Sequence, residues 1–260
     1  MIIKSKLGKT IRSVDDWEAY APPASKKLHW VDGRSAKELA KLWIKNGSDQ
    51  LPEVLTQLFC DVVELRHVEI NLVVPECKTK LDHYGNGRVH DLLLYGKSGK
   101  EKIVISIEAK VDEPFGPTIK ERKKDRRAHS NIDKRIARLA ESLFYQKDIE
   151  HVRYQLLHGI AGTLIEAKRH KATYAVFVVH EFFSHLLDSS KNLKNNQDLD
   201  EFVSCLTNKP TSLDHGTLLG PFYVPGGEDI SKDIPIYIGK IKTNCSDVTE
   251  KKFRKRAIKV

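Results

Sequence analysis

Long apolar runs and paired cysteines are missing from this 260-residue sequence. It contains no stretch of about 18 consecutive apolar residues, and its start, MIIKSKLGKTIRS, has no apolar segment of signal-peptide length. We therefore expect no membrane association and a cytoplasmic location. Cys60, Cys77, Cys205 and Cys245 form no C-x-x-C pair, so neither a zinc ribbon nor a disulfide framework is indicated. We expect buried free thiols.

Acidic residues are the scarcer charge, since 35 Asp and Glu oppose 44 Lys and Arg and the formal net charge is +9. The excess is concentrated in two segments. Residues 117–138 contain nine bases and three acids, and residues 239–260 contain eight bases and two acids. A polyanion-binding protein concentrates its charge in this way, although a solvated helix face and a mobile tail would give the same counts.

Internal repeats and low-complexity tracts are also absent, and an apolar content of 40% is sufficient for one substantial core. We expect one main domain with additions. Its predicted parts are an N-terminal helical extension (1–50), a core (51–185), a C-terminal helix and strand that complete the same domain (186–245), and a basic tail (246–260).

Hydrophobic periodicity predicts the order of the elements. Helical spacing predicts helices at 35–45, with Ser35 as the N-cap, and at 52–65. A period of two and short connections predict an antiparallel meander of three strands, at 68–74, 88–96 and 103–111. The later predicted elements are helices near 136–144, 152–167 and 199–206, a buried parallel strand at 172–182 and a last strand at 236–241. The fold class is α/β, with a mixed central sheet flanked by helices.

Two charged residues stand at the end of the apolar strand 103–111. Glu108 and Lys110 point to the same face of this strand, because side chains alternate between its two faces. The hairpin brings Asp91 of the preceding strand alongside them. Two carboxylates and an ammonium group close together are costly to assemble, so a function is expected for them.

A divalent metal ion would account for this group of charges. Carboxylate oxygens from Asp91 and Glu108, with the backbone carbonyl of Ala109, suit Mg²⁺ (or Mn²⁺), which binds few protein carboxylates and keeps waters for a phosphate substrate. Lys110 would orient or help activate the attacking water, and the metal would lower the pKa of that water. The predicted chemistry is hydrolysis of phosphodiester bonds.

Asp91, followed by Glu108, Ala109 and Lys110 at the end of the next strand, resembles the PD-(D/E)xK signature of restriction-endonuclease-like nucleases. The shared core of that superfamily is αβββαβ, and the resemblance covers residues 52–182 in element order. It implies a nuclease-like core at 51–185, in which Asp91 and Glu108 bind the metal and Lys110 is catalytic.

The sequence is also similar to an uncharacterised bacterial branch of this superfamily, in which EPFG follows the strand and a stretch like RYQLLH, here 153–158, begins a helix. It departs from the signature at His90, which stands where a proline commonly precedes the first aspartate.

The E-x-K tripeptide alone is not specific, because it occurs five times in this sequence. Three occurrences fall in the basic segment, on a helix or in the tail, while Glu76 and Lys78 follow a strand and form a rival pair. Glu108 and Lys110 alone combine an apolar strand, an upstream aspartate on a strand and a following helix. Salt-bridged charges at the edge of the sheet are the alternative to a functional site.

Further polar candidates lie near the helix predicted at 152–167. His151, Tyr154, Gln155 and His158 share one face at helical spacing. Some nuclease branches carry a Gln and a Tyr that face the metal on this helix, so the resemblance implies that role for Gln155 and Tyr154. Ordinary hydrogen-bonded roles stay open for both, and such a role is favoured for His158.

An acidic residue from the first helix often completes such nuclease sites. Glu64 has the best position in the sequence, and Glu53 and Glu69 are weaker candidates. Glu76 could also approach the cleft from the end of the first strand. A solvated helix glutamate is the alternative reading of Glu64.

Basic residues that begin shortly after Lys110 would lie beside this site and hold phosphates without reading the base sequence. They are Lys120, Arg122, Lys123, Lys124, Arg126 and Arg127. The expected partner is DNA, with RNA left open, and the resemblance also allows a homodimer that cuts both strands. The tail either clamps the nucleic acid or is disordered.

Three functions of different classes fit these patterns. The first is a metal-dependent DNA nuclease, with a restriction or defence role by family analogy. The second is a non-catalytic nucleic-acid-binding module on the same fold, and the third is a structural or interaction protein with surface salt bridges. The complete set of Asp91, Glu108 and Lys110 favours the nuclease.

Overall fold

The computed structural model of the protein describes residues 1–47, 50–146, 148–184 and 190–245. The predicted basic tail, 246–260, therefore lies outside the described residues. No helix within the described ranges is long and apolar enough to cross a membrane. The four cysteines all lie in these ranges and form no disulfide; Cys205 is buried as expected, whereas Cys60 is exposed.

Groups of helices and groups of strands follow one another along the chain, which has a mixed α/β character. The helices are α1 (Val14–Tyr20), α2 (Lys26–His29), α3 (Ser35–Asn46), α4 (Glu53–Cys60), α5 (Ile119–Lys124), α6 (Ile132–Leu143), α7 (Tyr154–Arg169) and α8 (Ser190–Thr207), and a 3-10 turn spans Val63–Leu65. The strands are β1 (Ile2–Ile3), β2 (Val68–Thr79), β3 (Arg88–Ser98), β4 (Glu101–Lys110), β5 (Tyr174–Phe183), β6 (Thr217–Phe222) and β7 (Ile236–Asn244).

Within the described residues, the strands form a seven-stranded sheet in the order β1-β2-β3-β4-β5-β7-β6. Strands β2, β3 and β4 form an antiparallel meander, while β5 is parallel to both β4 and β7. The predicted mixed sheet, the meander and the parallel addition are therefore confirmed.

Two apolar cores cover the two faces of this sheet. Alternate residues of β4, including Ile103, Ile105 and Ile107, pack into the core that contains α3 and α4. Val104 belongs to the opposite core, built from α6, α7 and α8. The predicted alternation along β4 is thus confirmed, and it places Glu108 and Lys110 on the face covered by α7.

Several predicted boundaries differ from the structure near the first helices. The N-cap of α3 is Arg34 rather than Ser35, whose hydroxyl instead donates to Glu113 at 3.1 Å. The predicted helix 52–65 ends at Cys60, whose carbonyl accepts a hydrogen bond from Arg66 Nε at 3.0 Å. The chain must turn there to enter β2, so the last part of the predicted helix becomes the short 3-10 turn.

The strands also differ from the prediction, because their extent depends on which strands they pair with. Strand β2 continues through Pro75, since the register of its partner β1 runs only as far as Val73 and Pro75 interrupts no pairing on that side. Strands β1 and β6 were not predicted, because β1 has two residues and β6 contains Gly220 and Pro221.

Candidate active site

The site begins where β3 and β4 separate. Their register runs as far as the pair Leu92 and Ile107, so Asp91 and Glu108 are next in line on the two strands. Beyond Leu92, the carboxylate of Asp91 takes the place of a strand carbonyl, and its Oδ2 accepts the backbone N–H of Ala109 at 2.7 Å. The structure thereby brings Asp91 beside the end of β4.

Glu108 is the centre of a buried polar cluster, with 2% of the residue exposed. Its Oε1 accepts hydrogen bonds from Lys110 Nζ at 2.8 Å and from Gln155 Nε2 at 2.5 Å. Lys110 Nζ also donates to Gln155 Oε1 at 3.0 Å. Three of the predicted site residues therefore contact one another directly.

Arg88, at the start of β3, is a member of this cluster that the sequence analysis did not single out. Its Nη2 forms an ion pair with Glu108 Oε2, and both side chains are buried. Its Nη1 lies 3.0 Å from His158 Nδ1, and its Nε donates to His90 Nδ1 at 3.4 Å. Nothing in the sequence pattern distinguishes Arg88 from an ordinary residue at the start of a strand.

The pKa values of the two carboxylates of the site shift in opposite directions. Burial opposes the ionisation of Glu108, but the charges of Lys110 and Arg88 outweigh it and lower its pKa. Burial and the nearby charge of Glu108 raise the pKa of Asp91 well above its ordinary value. A cation bound by Asp91 would therefore displace a proton near neutral pH.

Glu76 of β2 is a third carboxylate in the same row. The register pairs its neighbours Pro75 and Cys77 with Leu92 and His90, which sets Glu76 opposite Asp91. Its backbone φ is 49°, an unusual value for a residue with a side chain. Burial, followed by the charges of Asp91 and Glu108, raises its pKa to about 8.

Glu64 does not join the site, and its prediction as a site residue is wrong. It is exposed in the 3-10 turn, and its charge acts on Tyr174 and Tyr237. Tyr174 begins β5 and pairs with Ile103, at the opposite end of β4 from Glu108. Helix α4, the first helix of the predicted core, ends at Cys60, too early to carry Glu64 towards the carboxyl end of the strands.

The weaker acidic candidates also lie elsewhere. Glu69 pairs with Lys97 at 3.1 Å near the β3–β4 hairpin, and Glu53 accepts a hydrogen bond from Gln57 at the start of α4. His151 precedes α7 and lies 3.4 Å from the thiol of Cys205. It therefore does not share the site face that helical spacing predicted.

Tyr154 joins the site to the basic segment. Its ring packs against His158, with centroids 4.7 Å apart, and the guanidinium of Arg122 lies 5.9 Å from its centroid. Short backbone contacts tie the start of α5 to the start of α7, including Ile119 N to Val152 O at 2.8 Å. The basic segment is thus held beside the helix that carries Gln155.

The six basic candidates differ in their surroundings. Lys123 forms an ion pair with Glu150 at 3.1 Å, and Arg126 forms one with Asp133 at 3.0 Å. A cavity of about 250 Å³ between α5, the start of α6 and the β2–β3 connection is lined by Arg122 and Arg135. The exposed members of the set are Lys120, Lys124, Arg126 and Arg127.

The loop after β4 has a structural role. Glu113 accepts the backbone N–H of Val111 at 2.7 Å, and Asp112 forms an ion pair with Arg34 at 2.8 Å. The side chain of Asn195 in α8 donates to the carbonyl of Glu113 at 2.9 Å. These contacts fix the loop between α3 and α8, immediately after Lys110.

Most of the chain matches one family model. Residues 10–245 match the model of a family described as a domain of unknown function, DUF6946. The chain belongs to the DUF6946 family. The matched range of this DUF6946 protein includes β2 to β5 and every residue of the polar cluster. No curated protein and no solved structure matches the chain.

The polar cluster of this DUF6946 protein can be compared with the needs of a divalent ion. Within the described ranges, no three His, Cys, Asp or Glu side chains converge to hold a metal. Among the described residues, Asp91 Oδ1 accepts no hydrogen bond and Glu108 Oε2 accepts one from Arg88 alone. Since Mg²⁺ is commonly bound by one or two carboxylates and several waters, Asp91 Oδ1 and the second lone pair of Glu108 Oε2, beside Arg88, fit such an ion.

Proposed function

We propose that this protein is a divalent-metal-dependent nuclease that hydrolyses DNA phosphodiester bonds. The observation that carries the proposal is the direct contact of Lys110 with both Glu108 and Gln155, beside Asp91, a residue of intermediate exposure. A carboxylate pair, a lysine and a fixed amide at the end of a strand are the groups that such a hydrolysis needs.

The order of elements supports a restriction-endonuclease-like core for this function. Helix α4 precedes the β2–β3–β4 meander, and helices α5 to α7 then connect β4 to the parallel strand β5. This sequence of elements corresponds to αβββαβ. The proposed site lies at the carboxyl end of β4, where charged groups can meet a ligand outside the sheet.

Four residues of the site have a proposed part in the reaction. Asp91 and Glu108 would hold Mg²⁺ or Mn²⁺, which when bound polarises the phosphate and lowers the pKa of a bound water. Lys110 orients the attacking water and stabilises the negative charge that develops on the phosphate. Gln155 holds the Lys110 ammonium and the Glu108 carboxylate in one geometry. Water attacks phosphorus and releases a proton to solvent, the bond from phosphorus to the leaving oxygen breaks, and that oxygen takes up a proton from solvent.

Wild-type protein is expected to cut supercoiled plasmid or single-stranded DNA in the presence of Mg²⁺ or Mn²⁺. Asp91→Asn should cut at least about 100-fold more slowly, because asparagine can still accept the Ala109 N–H but has lost the charge that binds the ion. Asp233→Asn serves as the control, because Asp233 is exposed in the loop before β7. Cutting by Asp91→Asn at the wild-type rate would contradict this assignment.

The basic segment is the proposed phosphate contact. A variant with Lys120 and Lys124 changed to Ala should bind DNA more weakly, with the slope of log affinity against log salt reduced by about 2. Both side chains are exposed, so the fold should be unaffected. Changing the exposed Lys100, in the β3–β4 hairpin, to Ala is the matched control. Fluorescence anisotropy at several salt concentrations measures both quantities, and an unchanged slope would exclude this segment from the interface.

One observation favours a non-catalytic nucleic-acid-binding module as the second candidate. Glu108 and Lys110 are only 2% and 5% exposed, and they satisfy one another within the cluster. A binding module would retain DNA affinity but show no metal-dependent cutting on any substrate. The plasmid experiment therefore distinguishes the two candidates.

A further inference from the structure

A buried arginine stands beside the proposed catalytic lysine and has no part in the function proposed above. Arg88 is paired with one oxygen of Glu108, while Lys110 and Gln155 donate to the other oxygen. One carboxylate thus faces two cationic groups. If Asp91 is left out of the sum, the charges of Glu108, Arg88 and Lys110 add up to a net positive charge. This charge opposes the entry of a divalent cation.

The hydrogen bonds of Arg88 fix its orientation. A guanidinium group only donates hydrogen bonds, so His90 and His158 must each present an unprotonated Nδ1 to it. Together with the bond to Glu108, these contacts use one N–H of each of Nε, Nη1 and Nη2. Because only 2% of the Arg88 side chain is exposed, it is not available to bind a phosphate directly. Its geometry suits a residue that positions another group.

Helix α7 leaves space for this arginine at two glycines. A Cβ atom at Gly162 would lie 2.8 Å from His90 Nε2 and 3.4 Å from Arg88 Cδ. A Cβ atom at Gly159 would lie 3.0 Å from the Phe177 ring and 3.5 Å from Arg88 Cζ. Larger residues at these positions would push the helix away from β3. The close approach of α7 therefore holds Arg88 and His90 against Glu108.

We infer that Arg88 is a positioning residue that occupies one oxygen of Glu108 and leaves Asp91 as the principal carboxylate for a divalent ion. This inference rests on the proposed nuclease function and refines its ligand assignment. Asp91 is suited to that part because it is partly exposed and its Oδ1 accepts no hydrogen bond from a described residue. Glu108 then serves mainly to hold Lys110 and Gln155 in place.

The test compares Mn²⁺ affinity, measured by calorimetry, in the wild type, Arg88→Met and Arg88→Lys. Loss of the arginine charge frees an oxygen of Glu108, so Arg88→Met should bind Mn²⁺ about tenfold or more tightly than the wild type. Its DNA cleavage should nevertheless fall, because Glu108 loses its fixed orientation. Arg88→Lys restores the charge and should restore the weaker Mn²⁺ affinity. Arg138→Met, which removes an arginine of α6 that pairs with Asp229, should leave the Mn²⁺ affinity unchanged.

Folding is checked by circular dichroism and thermal unfolding. If Arg88→Met does not fold, Arg88→Gln replaces it, because glutamine can donate to Glu108 without carrying a charge. Equal Mn²⁺ affinity in the wild type and the neutral variant, including no detectable binding by either, overturns the inference. A lack of DNA cleavage by every protein would refute the nuclease proposal, yet it would leave the Mn²⁺ comparison as a separate result.

Discussion

Replacement of Lys110 by methionine should slow metal-dependent DNA cleavage by about 10²–10³-fold, the range for removal of one group that stabilises the charge of the transition state. Methionine keeps an unbranched apolar stem beside the Phe115 ring, which lies 5.3 Å from the Lys110 ammonium. It removes the charge that contacts Glu108 and Gln155. Glu108 keeps Arg88 and Gln155 as partners, so the fold and the DNA affinity should persist.

Lys240→Met is a matched control for this experiment. Lys240 is also buried in the central sheet, two strands away on β7, and its Nζ lies 3.4 Å from the carbonyl of Leu213. No contact described for it reaches Glu108 or Gln155, so its variant should cut DNA at the wild-type rate. A similar loss in both variants would indicate damage to the sheet. Full activity of Lys110→Met would remove Lys110 from the mechanism.

The parts of the site that sequence predicted are those fixed by local geometry. Alternation along a strand put Glu108 and Lys110 on one face, and the hairpin register put Asp91 next to Glu108. For these strand residues, a period and a short connection were sufficient. The site role of Gln155 came from the resemblance to nuclease branches, because helical spacing alone does not show what a helix face contacts.

The parts that sequence missed depend on irregular backbone and on tertiary packing. Strand β3 pairs with β4 only from Leu92 onward, and Glu76 has a positive φ, so simple alternation does not place Asp91 and Glu76. Arg88 enters the cluster because Gly159 and Gly162 let α7 approach β3 closely. Glu64 was placed wrongly because the end of α4 could not be fixed from periodicity alone.

Glu108→Ala should lower the free energy of unfolding by about 3–5 kcal/mol, because it leaves Arg88 and Lys110 buried without their carboxylate. Urea denaturation followed by circular dichroism measures this change. Glu38→Ala is the comparison on the other face of the sheet, since Glu38 is equally buried. Its partner Lys41 has a side chain that is 16% exposed and can reach water, so a smaller loss is expected.

A double-mutant cycle then tests whether the loss comes from unpaired charge. Adding Arg88→Met to Glu108→Ala should recover part of the lost stability, because one buried cation fewer lacks a partner. Strictly additive losses would instead indicate that the cost is a cavity, and would contradict the ion-pair explanation.

The charges of Arg88, Glu108 and Lys110 can also be removed together. Buried ion clusters can often be replaced by apolar residues of similar volume without loss of stability. The triple variant Arg88→Met, Glu108→Leu and Lys110→Met should therefore be about as stable as the wild type but unable to cut DNA. That outcome would mean that folding does not require the cluster and that its charges serve the reaction. A triple variant much less stable than the wild type would support the remaining alternative, in which the charges hold the structure together.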